Sequence, residues 1–223
     1  MWWLTNSEPW AAQSAIFSLT IWEAIKGRPL KKDSKVLVDI RELEGHRIYI
    51  VDGMFQPEIV QILYGILRKL PFSLSEYDNP ATRHILHWKY EFALDGFAAN
   101  PVYRIWHDNI VAKTNELFPN HHSKLFRVYC NNSLFGDHQH AHVDNEDAIP
   151  DVTSLYFANA EWQDDWHGEI LLYDGDGEPF YAVAPKPGRL LVFPGNIQHR
   201  GGVPSRTCFE PRLSVAFKFK RQG

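Results

Sequence analysis

His142 and Asp144 stand two apart in His142-Val143-Asp144. On a β-strand that spacing projects an imidazole and a carboxylate from one face toward a common point. A second histidine, His199, closes the distant stretch Phe193-Pro194-Gly195-Asn196-Ile197-Gln198-His199. Two imidazoles and one carboxylate on one side of an ion leave its other positions open, an arrangement suited to non-haem ferrous iron. Arg212 follows. Its guanidinium is a planar two-donor fork that matches a carboxylate, so an organic acid could be anchored beside the metal.

Strands must carry these groups. From Lys124 onward the chain reads as short strands divided by turn signals, expected over 125–131, 139–144, 153–159, 169–173, 179–183, 189–193, 198–201 and 212–219. Asp174-Gly175-Asp176-Gly177 is a hairpin-turn sequence rather than a calcium loop, and Lys186-Pro187-Gly188 is another tight turn. So many short strands suit a jelly roll, two sheets with a pocket at one end. Upstream, Ser7 can cap a helix running to about Lys26, stopped by Gly27. Residues 47–52 read as a strand. Pro57 opens the clearest helix, with Ile59, Ile62, Leu63, Ile66, Leu67 and Leu70 in one apolar stripe. Residues 83–92 read as extended, and Asn100-Pro101 starts a helix that buries Val102, Ile105 and Trp106 and ends before Pro119. The expected class is mainly β with helices (α+β). One domain spans 1–223, with a helical support region over about 1–120 packed on one sheet of a double-stranded β-helix over about 124–220. No linker, repeat or low-complexity stretch divides it.

The chain has 223 residues, 44% hydrophobic and 14% aromatic, which is enough for a full core and unlike a disordered chain. A net charge of −4 without a Lys/Arg run argues against nucleic acid or an anionic membrane as main partner. With only Cys130 and Cys208, a disulfide framework is not expected and a reducing compartment fits. Residues 10–25 are too short and too polar to span a bilayer, and the N-terminus lacks signal-peptide features, so a soluble cytoplasmic protein is expected. Trp2, Trp3 and Trp10 form either a hydrophobic cap or an interface. Nothing in the sequence specifies an oligomeric state.

The stretch from Phe126 to Phe219 resembles the Fe(II)- and 2-oxoglutarate-dependent oxygenases, in their prolyl-4-hydroxylase-like branch. The matching pieces are Arg127-Val128-Tyr129, the His142/Asp144 pair, 153–159 with Trp162, Gly168-Glu169-Ile170, 185–194, His199 and Arg212-Leu213-Ser214. The resemblance implies that His142, Asp144 and His199 hold Fe(II), and that Arg212 binds the distal carboxylate of 2-oxoglutarate. Ser214 would add a hydrogen bond and Tyr129 would reach the co-substrate. It further implies use of O2, with ascorbate as a supporting reductant, and oxidation of an unactivated C–H bond with release of succinate and CO2. No catalytic residue beyond the metal ligands is implied. Asp144 disfavours halogenation, which needs that position vacated.

Phe157 stands where several relatives place a tyrosine, and His167 replaces the first glycine of the usual Gly-Gly-Glu turn. Because His199 and Arg212 are further apart than is common, Arg206 and Arg200 are rival anchors. The substrate is expected to be a small molecule, such as an amino acid or a natural-product intermediate, with a protein or peptide side chain as the alternative. Candidate substrate contacts are Asn131 and His140, together with segments 77–90, 131–135 and 145–151; the last, with Gly201-Gly202, is a candidate lid. A third reading is a cupin-like metal sensor using the row His138, His140 and His142, which leaves the Arg212-Leu213-Ser214 strand unexplained.

Overall fold

Along the last strand, Leu213, Val215, Phe217 and Phe219 are fully buried in one core, while Arg212, Ser214, Ala216 and Lys218 line a chamber on the opposite side. That alternation organises the molecule. The computed structural model describes residues 36–95, 97–98, 103–147 and 150–221. In chain order the elements are β1 (Leu37–Leu43), β2 (His46–Asp52), α1 (Pro57–Leu67), β3 (Ser73–Glu76), β4 (His87–Leu94), β5 (Phe97–Ala98), α2 (Arg104–Leu117), β6 (Ser123–Ser133), β7 (Val152–Phe157), β8 (Ile170–Tyr173), β9 (Pro179–Val183), β10 (Leu190–Pro194), β11 (His199–Gly201) and β12 (Arg212–Arg221).

A large antiparallel sheet runs β1-β2-β10-β7-β12-β6-β4-β3, with β5 on β4, and a smaller one runs β11-β8-β9. Ile48, Ile50, Leu155, Phe157, Leu191 and Phe193 of the large sheet meet Ile170, Leu172 and Val183 of the small one, so the sheets face each other as a jelly roll. The outer face of the large sheet carries both helices. α1 contributes Ile59, Val60, Leu63 and Leu67, and α2 contributes Ile105, Trp106 and Ile110, against Tyr156, Val192, Val215 and Phe217.

The expected helix from Pro57 stops at Leu67, short of Leu70, because Pro71 disfavours helical geometry at the residue before it. The helix expected from Asn100 begins at Arg104 among the described residues. Residues 36–94 supply more strand than expected. β1 and β3, which have no apolar alternation to announce them, form the sheet's two edges. The expected strand over 139–144 is reduced to one antiparallel bridge, His142 with His199, since only there do backbone partners lie alongside. The helix expected over 7–26 and the tryptophans at 2, 3 and 10 lie outside the described residues. No helix among the described residues is long and apolar enough to cross a membrane.

Leu63 is fully buried between α1 and the sheet. Leu63→Ala is expected to lower the unfolding free energy by about 2–5 kcal/mol through the cavity it leaves. Urea denaturation with an unchanged m-value checks this.

Candidate metal and co-substrate site

Backbone pairing assembles the site. His142 and His199 exchange N–H···O=C bonds in both directions at 2.9 Å, and the Asp144 N–H donates to the Gly195 carbonyl at 2.7 Å. Two segments far apart in sequence are thereby zipped side by side. Each histidine then donates its Nδ1–H to the carbonyl two residues earlier, His142 to His140 at 3.0 Å and His199 to Ile197 at 2.9 Å. This tautomer leaves both Nε2 lone pairs free for a metal. They lie 3.8 and 3.9 Å from Asp144 Oδ1. One ion with ordinary bonds of about 2.1 Å can span such gaps. Among the described residues these three form the group of His, Cys, Asp or Glu able to hold an ion, with ligand atoms within 4.8 Å of one another.

The second oxygen of Asp144 is also committed. Oδ2 accepts from Thr153 Oγ1 and from the ammonium of Lys218. Burial alone would raise the Asp144 pKa, but Lys218, His199 and the Thr153 bond outweigh it and hold the carboxyl well below the ordinary range. Burial depresses His199 to about 4, so its Nε2 carries no proton at neutral pH. Asp78 buttresses the opposite side. Its carboxylate sits 3.0 Å from His87 Nε2, accepts the His140 backbone N–H and lies 3.7 Å from His142 Nδ1. Although burial opposes its ionisation, these donors keep Asp78 below the usual carboxylate range.

Arg212 is the deepest charge, 2% exposed. Its Nε donates to the Gly168 carbonyl at 2.6 Å, Nη1 lies 3.4 Å from Ser214 Oγ, and its guanidinium stacks 5.4 Å from the Phe157 ring centroid. Asn159 fixes the start of β12 by donating to the Pro211 carbonyl at 2.7 Å and accepting from the Leu213 N–H at 2.8 Å. Arg212 Nη2 is buried without a hydrogen-bond partner. A buried guanidinium with a free donor is an anion site in waiting, and burial lowers its pKa only to about 10, so it stays charged. Arg206 is exposed, and Arg200 alternates with the buried His199 and Gly201 on β11. Neither rival lines the chamber. His167 and Gly168 hold φ of 59° and 86°, and a Cβ on Gly168 would meet Arg212 Cδ at 2.9 Å. The turn therefore requires glycine where the arginine passes.

The inner chamber is walled by Tyr129, Leu155, Phe193, Ala216 and Ser214, and leads from Arg212 to His142 and His199. Asn131 lines it with a buried, unpartnered Oδ1. His140 does not line it; its ring stacks edge-on against His138 at 4.4 Å, and its Nδ1 lies 3.6 Å from Asp78. A second cavity of about 300 Å³ opens past the metal group, lined by Tyr77, Phe126, Arg127, Val143, Asp151 and Lys218. Lys218 was not among the sequence candidates, and Asp78 was covered there only by the candidate substrate segment 77–90. Lys218 carries a readable signal, since it continues the period of Arg212, Ser214 and Ala216. Asp78 lies in a loop, and nothing local marks it.

With this geometry in place, comparison with known proteins gives its class. Residues 126–220 match the family model of the 2OG-Fe(II) oxygenase superfamily. No curated protein matches the chain. Among solved structures, a Pseudomonas putida prolyl-4-hydroxylase superposes with TM-score 0.60 at 18% identity, covering 80% of this chain and 94% of that one. A 2OG-Fe(II) oxygenase family oxidoreductase from Burkholderia pseudomallei gives 0.62 at 11%, covering 99% and 95%. HygX from Streptomyces hygroscopicus, with nickel and 2-oxoglutarate bound, gives 0.52 at 16%, covering 78% and 83%. Over residues 126–220 the chain therefore matches the 2OG-Fe(II) oxygenase superfamily, which uses Fe(II), 2-oxoglutarate and O2, and this match supports a dioxygenase enzyme. The two free histidine nitrogens, the Asp144 oxygen between them and the unpartnered Arg212 donor fit that metal and that diacid.

Two measurements probe the site's construction. Gly168→Ala strains the left-handed turn and presses on Arg212, so it should cost about 1–3 kcal/mol of stability and weaken 2-oxoglutarate binding, read by thermal melting and calorimetry. For the metal-stripped protein, His199 binds its proton near pH 4 when folded and near about 6.5 when unfolded. The unfolded state takes up the proton first, so stability should fall as pH drops from about 6.5 to 4. His199→Asn should flatten that decline in urea titrations; an unchanged slope would contradict the assignment.

Proposed function

We propose that His142, Asp144 and His199 hold Fe(II), that Arg212 with Ser214 binds the distal carboxylate of 2-oxoglutarate, and that the enzyme hydroxylates, or otherwise oxidises, an unactivated C–H bond of a small molecule. The observation that carries this reading is one continuous chamber with the two free imidazole nitrogens at one end and a half-satisfied buried guanidinium at the other. The jelly-roll core and the helix-bearing sheet are read as one domain, because both helices pack on the sheet that carries Arg212.

When bound, the iron and its co-substrate supply the oxidising chemistry, with dioxygen consumed and succinate and CO2 released. The chain supplies placement. Thr153 and Lys218 hold one Asp144 oxygen so that the other faces the histidines. Gly168 and Asn159 fix the guanidinium that orients the diacid. Tyr129, 8% exposed, closes the chamber wall between them, and the apolar Leu155, Phe193 and Ala216 keep water out.

A cavity of about 300 Å³ beside the metal group is at the small end of ligand pockets, which favours a small molecule over a folded polypeptide. The prolyl hydroxylases among the similar structures keep a peptide side chain as the second reading. Anaerobic addition of Fe(II) and 2-oxoglutarate should give a weak visible band at ~500 nm, expected for a chelated 2-oxo acid on a facial-triad iron. Asp144→Ala should abolish it. Arg212→Met should weaken 2-oxoglutarate binding by about thirtyfold or more, the cost of losing a buried charge partner. A band that survives Asp144→Ala would overturn the ligand assignment.

A further inference from the structure

Lys218 is an unexpected neighbour for a metal ligand. Its side chain is 12% exposed, it lines both the inner chamber and the outer cavity, and its ionic partner is Asp144. Apart from Arg212, the proposed diacid anchor, and Asp151, the other carboxylates and cations of these walls are already matched among the described residues. Arg127 pairs with Glu76 at 2.7 Å and Glu91 at 2.8 Å, and Lys89 reaches the same two carboxylates at 2.7 and 3.2 Å, which closes a quartet of two cations and two anions. Asp78 is held by His87 and the His140 N–H. Lys218 alone shares its counter-ion with the proposed metal site, a placement that rests on the reading above.

A divalent ion on Asp144 Oδ1 changes the balance. One carboxylate charge must then serve both the ion and the ammonium, and two cations held close together in a poorly hydrated wall repel each other. An ammonium has three donors, and Lys218 uses two, on Asp144 Oδ2 and at 3.2 Å on Thr153 Oγ1. The third donor and the unbalanced charge belong to a side chain on the wall of the outer cavity. A single ammonium matches a single negative charge, and the nearby carboxylates Glu76, Asp78 and Asp151 would repel a phosphate dianion. The cavity's volume of about 300 Å³ suits a molecule of amino-acid size. The Asp151 carboxylate, on the same wall, makes no ion pair among the described residues and accepts the Arg221 N–H at 3.3 Å, which leaves it open to an amine.

We propose that Lys218 is a substrate-binding residue, and that the oxidised substrate is a small carboxylic acid of the amino-acid type whose carboxylate ion-pairs with the Lys218 ammonium beside the metal. Lys218 would then act at two surfaces, steadying Asp144 and seating the substrate so that a carbon near its carboxylate faces the metal.

The test uses the full chain loaded with Mn(II) and N-oxalylglycine, which mimics the co-substrate without turnover. Calorimetric titration with the proteinogenic L-amino acids and with their C-terminal amides compares carboxylate with carboxamide on one scaffold. At least one acid should bind, with its amide about thirtyfold weaker. Lys218→Met should remove that preference and Lys218→Arg should keep most of it, each variant titrated at a Mn(II) concentration that fills its site, as read by the electron paramagnetic resonance signal. Equal binding of acids and amides, no binding by any acid, or a preference that survives Lys218→Met would each overturn the proposal; the first two need no variant to fold. If Lys218→Met instead weakens N-oxalylglycine by the same factor, the carboxylate served is the co-substrate's own, and the proposal falls. Failure of the wild-type protein to take Mn(II) or N-oxalylglycine would sink the oxygenase reading itself, a different result from loss of the acid preference alone.

Discussion

A charge buried in a jelly roll must find a partner, and that constraint orders the interior of this protein. Removing a carboxylate or guanidinium from water costs several kcal/mol unless hydrogen bonds or opposite charges replace the lost hydration. Along the inner face of the large sheet, Arg212, Lys89, Glu91, Arg127 and Lys218 face a space that an ordinary core would fill with leucine and valine. The quartet of Arg127, Lys89, Glu76 and Glu91 satisfies itself. Arg212 does not, since its Nη2 has no partner, and Asp144 turns one oxygen toward the Nε2 atoms of His142 and His199. The groups left incomplete by the fold are the ones that a metal and a diacid would complete on the proposed reading.

The same sheet supplies the stability that such an interior needs. On β12 the residues that alternate with Arg212, Ser214, Ala216 and Lys218 are Leu213, Val215, Phe217 and Phe219, all fully buried under the helices. On β7, Tyr156 packs against Phe55 and Trp106 on the helix side while Leu155 and Phe157 face the chamber. Period-two geometry thus assigns each strand two tasks on opposite faces. The polar contact between Thr114 of α2 and Ser154 of β7, 2.8 Å apart, is the point where the helix layer is keyed to the sheet by a hydrogen bond rather than by packing.

What the sequence reveals follows from how local each signal is. His142, Asp144, His199 and the strand under Arg212 are legible because residue type and short spacing carry the chemistry, and β12 alternates over its whole length. The helix at Pro57 is legible from its stripe, and its end is displaced only because Pro71 acts from outside it. Less local features leave no such trace. His142 is held by one bridge to His199, so the apparent strand around it is a property of a partner far along the chain. β1 and β3 are edge strands with mostly exposed side chains, and they lack the buried alternation that would mark them. Asp78 reaches His87, His140 and His142 through tertiary contacts, which no spacing rule contains. Lys218 stands between these cases: it continues the period of Arg212, Ser214 and Ala216, but a lysine near a strand's end reads as solvent-facing until its ion pair with Asp144 is known.

The two ends of β12 divide the labour of the site. Around Arg212 every neighbour is backbone or a short, rigid side chain: the Gly168 carbonyl, Ser214, Phe157 and the Asn159 bracket. The arginine's course is tightly confined, because a Cβ at Gly168 would already collide with it. Around Lys218 the outer cavity is walled in part by Phe126 and by Tyr77, 46% exposed, from the β3–β4 connection. Side chains of that kind can change identity without disturbing the sheet. On the proposed reading, that division would seat the fixed co-substrate at the buried end and the variable substrate at the open end, with the metal group at the boundary between them.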